Sequence, residues 1–432
     1  MPAAELPDPL PIRPRGPLSA IVRPPGSRSL ANRAQLAAAL ARGTSLVRNL
    51  TPSDDTDAMR EGLVTLGVRM ERSGAGDDWL IHGTDGVLTP IASALDVRAS
   101  GTTARFLTAA ATLASTPVVL DGTQRMRERP IADLADALRT LGARVEVLGE
   151  RGCPPLRAGG GTGLAGGEAL LDVRRTSSQY VSGILLAAPY AARDVTLRFV
   201  GDEVISRPFV DLTLAVMRDF GAEASFRGPG AVFVRAGRGY QAREYVVEPD
   251  AQGAVYGFAA AAIAGGNVTV EGLPRASIQG ELRFLDALAA MGCAIERGEN
   301  AITLHGAPKL RGIRVDANPW PDAALAFAVV ALFAEGPTEI VNVPNLRIKE
   351  TDRLAALECE LAKLGARATT GPDWLRIEPG PLRGAAIDTY DDHRMAMSFA
   401  LAGLRIPGVS IRDPGCVRKT WPGFFEALEG WA

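Results

Sequence analysis

Lysine, histidine and cysteine are scarce in this 432-residue chain. The three histidines and four cysteines are widely scattered, without the spacing of a metal site or of a disulfide framework. The sequence therefore predicts no structural metal. Of the 47 basic residues, all but four are arginine. The four lysines are Lys309, Lys349, Lys363 and Lys419.

Long apolar runs and an excess of one charge are also missing. No run approaches the roughly 20 apolar residues that cross a bilayer. The segment from Met1 to Gly16 is rich in proline where a signal peptide needs an apolar stretch. The net charge of −2 offers no basic surface for nucleic acid. Since 47% of the residues are hydrophobic, we expect a globular, cytoplasmic protein that binds neither membrane nor nucleic acid.

The chain does contain an internal repeat. Five apolar-periodic segments end in glycine and continue into a strand-like stretch, and these glycines recur at a nearly constant interval. A glycine at the end of a helix supplies the left-handed residue that stops it. The five glycines are Gly67, Gly142, Gly221, Gly292 and Gly365.

A second recurring piece is an alanine-rich helix that leads into a β-branched strand, and it occurs six times. Six combined units of equal length would account for nearly the whole chain. This pattern predicts an α/β (α+β) fold with two domains of three units each. The last unit stops early, so we expect the segment from Leu18 to Arg23 to supply its missing strand. The predicted domains are 1–26 plus 249–432, which is discontinuous, and the inserted 27–248.

Polar residues interrupt the repeat at the starts of the alanine-rich helices. Helix N-termini expose unpaired N–H groups and a positive dipole end, so several together would bind anions. Ser, Thr and Asp at these places are also ordinary N-caps, but a cap does not require the accompanying arginines. The starts are PGSRS (25–29), SGTTAR (100–105), RTSSQ (175–179), PDAA (321–324) and DDHR (391–394).

Two further stretches concentrate cations. In NLRIKETDRL (345–354), a helix would place Lys349 and Arg353 on one face and apolar leucines on another. The intervening acidic residues would alternatively pair with these bases on a solvated face. In MRERPI (126–131), Arg127 and Arg129 precede a helix, where cations are unfavourable unless an anion is near. Both stretches indicate an anionic ligand.

Taken together, these stretches resemble the 5-enolpyruvylshikimate-3-phosphate (EPSP) synthases. The order and approximate intervals of that family are matched by PGSRSLANR, SGTTAR, RERPI, SSQ, PDAA, NLRIKETDRL, DDHRMAM and CVRKTWP. The resemblance extends from about Leu18 to the C-terminus. It implies a two-domain inside-out α/β barrel of six βαβαββ units, three per domain, with the substrates held between domains that close on them.

The resemblance also implies an activity. The family transfers the enolpyruvyl group of phosphoenolpyruvate to the 5-hydroxyl of shikimate 3-phosphate and releases phosphate, in the shikimate pathway that leads to chorismate and aromatic amino acids. The reaction proceeds by addition and elimination through a tetrahedral intermediate. It uses no metal, nucleotide or other cofactor, and the implied partners are these two small molecules. The implied protein is a monomer. The family is a target of glyphosate, and the sequence leaves the sensitivity of this chain open between the room left by Gly101 and crowding by Arg28.

The resemblance assigns residues to both ligands and to the chemistry. Asp322 resembles the base that takes the 5-hydroxyl proton, Glu350 resembles the acid for the methylene carbon, and Arg28 occupies a lysine position of the active site. The residues implied for shikimate 3-phosphate are Arg28, Ser29, Arg33, Ser177, Ser178, Gln179, Ser206, Asp322, Asn345 and Lys349. Those implied for phosphoenolpyruvate are Arg28, Gly101, Arg129, Gln179, Arg353, Arg394 and Lys419.

Three positions depart from the family pattern. Arg28 stands where the family has lysine, Phe209 where a tyrosine is usual, and Ala99 where an asparagine is usual. Phe209 removes a hydroxyl and Ala99 an amide, for which we expect a modest loss of affinity. Arginine keeps its charge but cannot release a proton near neutral pH, so a proton-shuttling role at position 28 would be lost.

Two other functions remain open from the sequence alone. A catalytically weak or silent paralogue would bind shikimate 3-phosphate without turnover, and Arg28 is the feature that supports it. The other is an enolpyruvyl transferase with a different acceptor. If the acceptor were a UDP-sugar, a cysteine acid in a mobile loop would be expected, and the SSQ and KETDR stretches would not. Cys293 lies in the apolar part of the repeat, where a core position is expected.

Overall fold

The chain has a mixed helix-and-sheet fold, seen in a computed structural model that describes residues 6–74, 76–172, 177–201 and 207–431. It divides into two compact units. The split unit consists of Met1–Pro25 and Glu248–Ala432, and the continuous unit consists of Gly26–Val247. Each unit has its own hydrophobic core.

The secondary-structure elements alternate between helix and strand along most of the chain. Before the continuous unit lie β1 (Leu10–Pro11) and β2 (Leu18–Val22). The continuous unit contains α1 (Arg28–Leu40), β3 (Thr44–Arg48), α2 (Asp54–Thr65), β4 (Arg69–Arg72), β5 (Trp79–His82), β6 (Ala94–Asp96), α3 (Gly101–Ala111), β7 (Val118–Asp121), α4 (Ala132–Thr140), β8 (Val145–Val147), β9 (Leu156–Ala158), β10 (Gly167–Leu171), α5 (Ser178–Ala187), β11 (Val195–Phe199), α6 (Arg207–Asp219), β12 (Ala224–Phe226), β13 (Ala231–Val234) and β14 (Glu244–Val246).

The remainder of the split unit follows Val247. Its elements are α7 (Ala251–Ala264), β15 (Gly266–Glu271), α8 (Phe284–Met291), β16 (Ala294–Arg297), β17 (Ala301–His305), β18 (Leu310–Arg311), β19 (Arg314–Asp316), α9 (Ala324–Ala331), β20 (Ala334–Glu335), β21 (Thr338–Val341), α10 (Arg353–Lys363), β22 (Arg367–Thr370), β23 (Leu375–Glu378), β24 (Ala386–Ile387), α11 (His393–Ala402), β25 (Ser410–Ile411) and α12 (Phe424–Gly430). Short 3₁₀ turns precede several of the helices.

The described residues of the continuous unit form three four-stranded sheets of one design. Their strand orders are β14-β3-β5-β4, β6-β7-β9-β8 and β10-β11-β13-β12. In each sheet the first two strands are parallel and the other neighbours are antiparallel. Parallel neighbours require a crossover connection, and α3 and α5 provide it in the second and third sheets.

The split unit contains two sheets of the same design, β16-β17-β15-β2 and β19-β21-β23-β22, a three-stranded sheet β1-β25-β24, and the pair β18-β20. The prediction that Leu18 to Arg23 completes the last repeat is wrong. Strand β2 pairs with β15 in the first sheet after the chain returns, and β1 pairs with β25 in the last. The reason is topological. Because β14 takes the edge position beside β3 in the continuous unit, the repeat that follows it lacks a first strand, and β2 supplies one.

Alanine-rich helices form the centre of each unit, and they carry the predicted polar starts. All eight residues of α9 are buried, as are 13 of the 14 residues of α7. Such helices are apolar on every side because they pack against others all round. The packing is close: a Cβ at Gly183 of α5 would lie 2.8 Å from the carbonyl oxygen of Arg105 in α3. The helix starts that bear the polar motifs are therefore held in rigid positions.

The glycines of the repeat end helices as predicted. Their φ angles are all positive, between +88° and +116°. At Gly365 the tight turn is also sterically closed, because a Cβ would lie 2.1 Å from the carbonyl oxygen of Pro381. In the described part of the chain, every helix is too short or too polar to cross a membrane.

Candidate functional site

The split unit contains a buried cluster of charges at the starts of its central helices. We call it the carboxylate–arginine cluster and define it by three carboxylates, two arginines and two lysines. Its members are Asp322, Lys349, Glu350, Arg353, Asp392, Arg394 and Lys419. Asp322 lies in the 3₁₀ turn before α9, and Asp392 caps α11 by accepting from the backbone N–H of Arg394 at 2.9 Å.

Arg353 lies at the centre of this cluster, and its side chain is 1% exposed. It donates to Asp392 from Nε at 2.7 Å and to Asp322 from one terminal nitrogen at 2.7 Å. The other terminal nitrogen donates to Glu350 at 2.9 Å. Burial alone would lower the pKa of Arg353, but these three carboxylates raise it above its ordinary value. Arg353 is therefore a permanent cation that orders all three carboxylates.

The two lysines approach the same carboxylates. Lys349 Nζ lies 3.3 Å from Asp322 Oδ1, and Lys419 Nζ lies 2.5 Å from Glu350 Oε1. The prediction that Lys349 and Arg353 share a helical face is wrong. Helix α10 begins only at Arg353, because Asp352 caps it, and Lys349 ends the 3₁₀ turn Pro344–Ile348. The two cations meet instead at Asp322.

Asp322 is held as a carboxylate by the cations around it. Burial by itself would raise the pKa of this carboxyl, but Lys349, Arg394 and Arg353 together hold the pKa well below its usual range. Arg394 is 2% exposed, with a terminal nitrogen 3.7 Å from Asp322 Oδ2. It also donates to the hydroxyl of Tyr256 and to the side-chain oxygen of Gln252. Asn345 lies half-buried in the Pro344–Ile348 turn.

In the continuous unit, the start of α1 carries Arg28, Ser29 and Arg33. Arg28 donates to Asp55 Oδ2 at 2.5 Å, in a mostly buried ion pair. Arg33 is 2% exposed and donates to Thr213 Oγ1 at 2.7 Å and to the carbonyl of Ser29 at 2.7 Å. It also donates to the carbonyl of Phe209 at 3.0 Å. Arg33 thus joins the starts of α1 and α6, and position 209 takes part through its backbone.

The start of α3 brings Gly101 against Arg129. A Cβ at Gly101 would lie 2.5 Å from the Arg129 guanidinium group, so glycine makes room for the arginine. Arg129 also donates to the carbonyl of Ala99 at 3.4 Å. Arg127 does not behave as predicted from the MRERPI stretch. It is exposed and pairs with Asp121 at 2.6 Å, which explains a cation there without any ligand.

The start of α5 carries Ser177, Ser178 and Gln179. Ser177 caps this helix by accepting from the backbone N–H of Gln179 at 3.2 Å, and Ser178 is buried. The side chain of Gln179 donates to Thr102 Oγ1 of α3 at 3.1 Å. Ser206, the remaining predicted ligand, lies outside the described residues. The capping interpretation is confirmed at Ser100, Ser177 and Asp392.

Arg105, which ends the SGTTAR start, has an interior structural position. It is fully buried, donates to the carbonyl of Pro130 at 2.9 Å and stacks on Tyr180. Burial, followed by the nearby charge of Arg129, lowers the pKa of Arg105 to about 10. Cys293 is likewise a core residue, 6% exposed, and burial raises the pKa of its thiol. Cys293 therefore does not fit the exposed cysteine acid of a mobile loop.

Sequence reasoning missed several members of the site. Gln252 and Tyr256 of α7 both hold Arg394, and Asp55 of α2 holds Arg28. One signal was available. The tripeptide Pro-Asp-Ala occurs at 249–251 and again at 321–323, one repeat apart, so the start of α7 is a sixth polar start. Asp250 caps α7 there, accepting from the backbone N–H of Gln252 at 3.3 Å.

Comparison with known proteins finds relatives by sequence and a similar fold among solved structures. The 3-phosphoshikimate 1-carboxyvinyltransferase of Janthinobacterium sp. (strain Marseille) is 43% identical over 429 residues, covering 97% of this chain and 96% of the relative. That of Thiobacillus denitrificans is 45% identical over 415 residues, covering 95% and 96%. A solved EPSP synthase of Acinetobacter baumannii superimposes with a TM-score of 0.82 at 27% identity, covering 98% of each chain.

The family model of EPSP synthase (3-phosphoshikimate 1-carboxyvinyltransferase) matches residues 12–428. This match includes the carboxylate–arginine cluster and the polar helix starts of the continuous unit. The chain therefore belongs to the EPSP synthase family.

Proposed function

We propose that this chain transfers the enolpyruvyl group of phosphoenolpyruvate to the 5-hydroxyl of shikimate 3-phosphate and releases phosphate. The observation that carries the proposal is the carboxylate–arginine cluster, in which the implied base, the implied acid and four cations lie together. Both substrates carry a phosphate and a carboxylate, which suit guanidinium and ammonium donors.

The proposed ligand residues occur in both units. For shikimate 3-phosphate, those in the continuous unit are Arg28, Ser29, Arg33, Ser177, Ser178, Gln179 and Ser206, and those in the split unit are Asp322, Asn345 and Lys349. For phosphoenolpyruvate they are Arg28, Gly101, Arg129 and Gln179 in the continuous unit, with Arg353, Arg394 and Lys419 in the split unit.

In the addition step, the 5-hydroxyl oxygen of shikimate 3-phosphate attacks C2 of phosphoenolpyruvate, and Asp322 takes the proton of that hydroxyl. The cations that hold the Asp322 pKa low are themselves proposed ligands of the anionic substrates. Substrate charges near Lys349, Arg394 and Arg353 would offset their effect, which raises the basicity of Asp322 when both substrates are bound. The base is thus strengthened only in the complex that needs it.

Glu350 gives a proton to the methylene carbon in the same step. Without ligand it accepts hydrogen bonds from Arg353 and Lys419. Phosphoenolpyruvate oxygens would compete for both cations, and this release would allow Glu350 to carry a proton. The product of addition is a tetrahedral intermediate with phosphate on C2. Glu350 then removes a proton from the methyl group, the double bond re-forms and phosphate leaves.

The finer description of the fold is also a proposal. We infer six βαβαββ units, three in each of the domains 1–26 plus 249–432 and 27–248, with the inside-out α/β barrel of the family. Support comes from five sheets that share one strand order and from the division of the chain into two compact units. The monomeric state and the cytoplasmic location stay predictions from the sequence.

A phosphate-release assay with both substrates tests the function. We expect phosphate only when shikimate 3-phosphate and phosphoenolpyruvate are both present, an enol ether product by mass spectrometry, and unchanged turnover with EDTA. Tight binding of shikimate 3-phosphate without any product would favour the silent paralogue. Enol ether formation on a different acceptor alone would favour the other transferase function. Loss of turnover with EDTA would contradict the absence of a metal cofactor.

A further inference from the structure

A buried carboxyl outside the proposed mechanism lies beside the carboxylate–arginine cluster. Glu281 is in the 3₁₀ turn Gly280–Arg283 and is 5% exposed. Its side chain accepts a hydrogen bond of 2.6 Å from Gln252 Nε2. Across the described ranges, no lysine or arginine nitrogen lies within ion-pair distance of this carboxyl. A carboxyl so buried is ordinarily paired with a cation, so a pairing with the neutral amide of Gln252 is unusual.

The amide of Gln252 connects Glu281 to Arg394. Its Oε1 accepts from a terminal nitrogen of Arg394, and its Nε2 donates to Glu281. The orientation of this amide is fixed by chemistry, because a guanidinium group has no acceptor and must face the oxygen. Arg394 in turn lies 3.7 Å from Asp322. Glu281 is therefore two hydrogen bonds away from a proposed phosphoenolpyruvate ligand.

The surroundings of Glu281 favour its uncharged form. Burial, with added repulsion from Asp250 and Asp322, raises the pKa of Glu281 to about 7, against the opposing hydrogen bond from Gln252. Among the described residues, other titratable or charged side chains on this turn, on the helices α7 and α8 that contact it, or just before α7 include Tyr256, Arg283, Asp286 and Glu248. Tyr256 is buried on α7, Arg283 is exposed, Asp286 pairs with Arg297, and Glu248 accepts from Ser277 and Gln279.

We propose that Glu281 is a positioning residue that acts on Arg394 through Gln252, and that its uncharged form is the one that favours phosphoenolpyruvate binding. An uncharged carboxyl still accepts from Gln252 and so keeps Arg394 in place. An ionised one adds a negative charge to a region that must receive an anion. This inference rests on the proposed function, since it assigns Arg394 to phosphoenolpyruvate.

Steady-state kinetics from pH 6 to pH 8 test the proposal on the full chain. Glu281→Gln keeps the acceptor but does not ionise, and Glu281→Leu removes the acceptor. Glu360→Gln is the matched control, because Glu360 is equally buried in the split unit but binds Tyr390 and Lys363. Between pH 6 and pH 8, we expect the ratio of the parental KM for phosphoenolpyruvate to that of Glu281→Gln to rise by roughly fivefold or more. The control should follow the parent.

The two parts of the proposal are tested separately. Glu281→Leu should raise the KM for phosphoenolpyruvate by about tenfold at every pH while changing kcat less, as expected for loss of binding rather than of chemistry. A parental KM in Glu281→Leu would overturn the positioning role. Identical pH profiles for the parent and Glu281→Gln would overturn the role of the charge.

Carbon-13 NMR of labelled glutamate carboxyls provides a readout that does not depend on turnover. The resonance missing from Glu281→Gln identifies Glu281 in the parent. By reciprocal linkage, saturating phosphoenolpyruvate with shikimate 3-phosphate should raise the pKa of Glu281. A chain that makes enol ether but shows no such shift would refute this inference alone. A chain that shows the shift but makes no enol ether would refute the proposed function alone.

Discussion

At the scale of single residues, Asp322 is the proposed base and Glu350 the proposed acid of the addition step. We expect Asp322→Asn and Glu350→Gln each to lower kcat by about 100-fold or more, because a positioned base or acid is lost. Affinity for shikimate 3-phosphate should stay nearly intact, since amides fill the same space and most ligand cations remain. Steady-state kinetics and calorimetric binding of shikimate 3-phosphate provide the measurements. A near-normal kcat in either variant would refute the role assigned to that residue.

Arg28 is the residue at which this chain departs most from its family. Its ion pair with Asp55 indicates that the positive charge of the side chain is what matters at position 28. We therefore expect Arg28→Lys to change kcat/KM for phosphoenolpyruvate by no more than about tenfold, or about 1.4 kcal/mol. Arg28→Ala should cost far more, because ligand oxygens and Asp55 would both lose a cation.

The matched control is Arg127→Ala, since Arg127 has an ion pair with Asp121 but is exposed. We expect this variant to keep parental kcat/KM, because exposed ion pairs contribute little. If Arg28→Ala behaved in the same way, position 28 would not contact the ligands. If Arg28→Lys instead brought an inactive parent to a normal rate, the chain would be the silent paralogue.

At the scale of elements, Gly365 shows what the repeat requires at the end of a helix. It has φ of +102°, and an added Cβ would meet the carbonyl of Pro381. Gly365→Ala should therefore combine backbone strain with a backbone clash. Gly336→Ala is the matched control, because Gly336 has φ of +89° but open space around its Cβ position. We expect the first to lose about 2 kcal/mol or more of unfolding free energy and the second about 1 kcal/mol, measured by urea denaturation.

The elements also show what the sequence could and could not predict. The helix ends at Gly67 and Gly365 were predictable because a glycine stop is a local signal. The sheet partner of β2 was not, because pairing Leu18–Val22 with Gly266–Glu271 depends on where β14 goes, at the far end of the continuous unit. The start of α10 was misjudged because the local signal, the cap at Asp352, competes with a periodic pattern that continues through it.

The residues of the site also differ in how far the sequence could predict them. Asp322, Glu350 and Arg353 were identified through motifs, and their mutual contacts follow from rigid helix starts. Gln252 and Glu281 carry no charge pattern or motif of their own, and their link to Arg394 joins three separate segments. Only the folded structure brings these three segments together.

At the scale of the whole molecule, the distribution of strands predicts how fragments behave. Residues 26–247 include every strand of three complete sheets and a full core, so this fragment should fold alone. Trp79 is its single tryptophan and reports its unfolding by fluorescence. Residues 248–432 lack β1 and β2. Leu18 and Val22 of β2 are buried in the core of the split unit.

We expect the 26–247 fragment to show a cooperative urea transition and the 248–432 fragment to show none. Adding a peptide of residues 6–25 to the latter should restore folded structure, measured by circular dichroism, because it returns both edge strands. Cooperative unfolding of 248–432 by itself would show that β1 and β2 are dispensable.

The pairing of β1 with β25 joins Leu10 to Ile411 and Pro11 to Ser410, close to the two ends of the chain. A ribosome makes proteins from the N-terminus, so Leu10 leaves the exit tunnel long before its partner exists. Strand β2 must wait for β15, and β1 must wait for β25, the last strand in the described residues. During most of translation they must stay unpaired while residues 26–247 complete their own sheets. The prolines clustered between Met1 and Gly16 suit that interval, since proline cannot donate to a strand ladder and so discourages premature pairing.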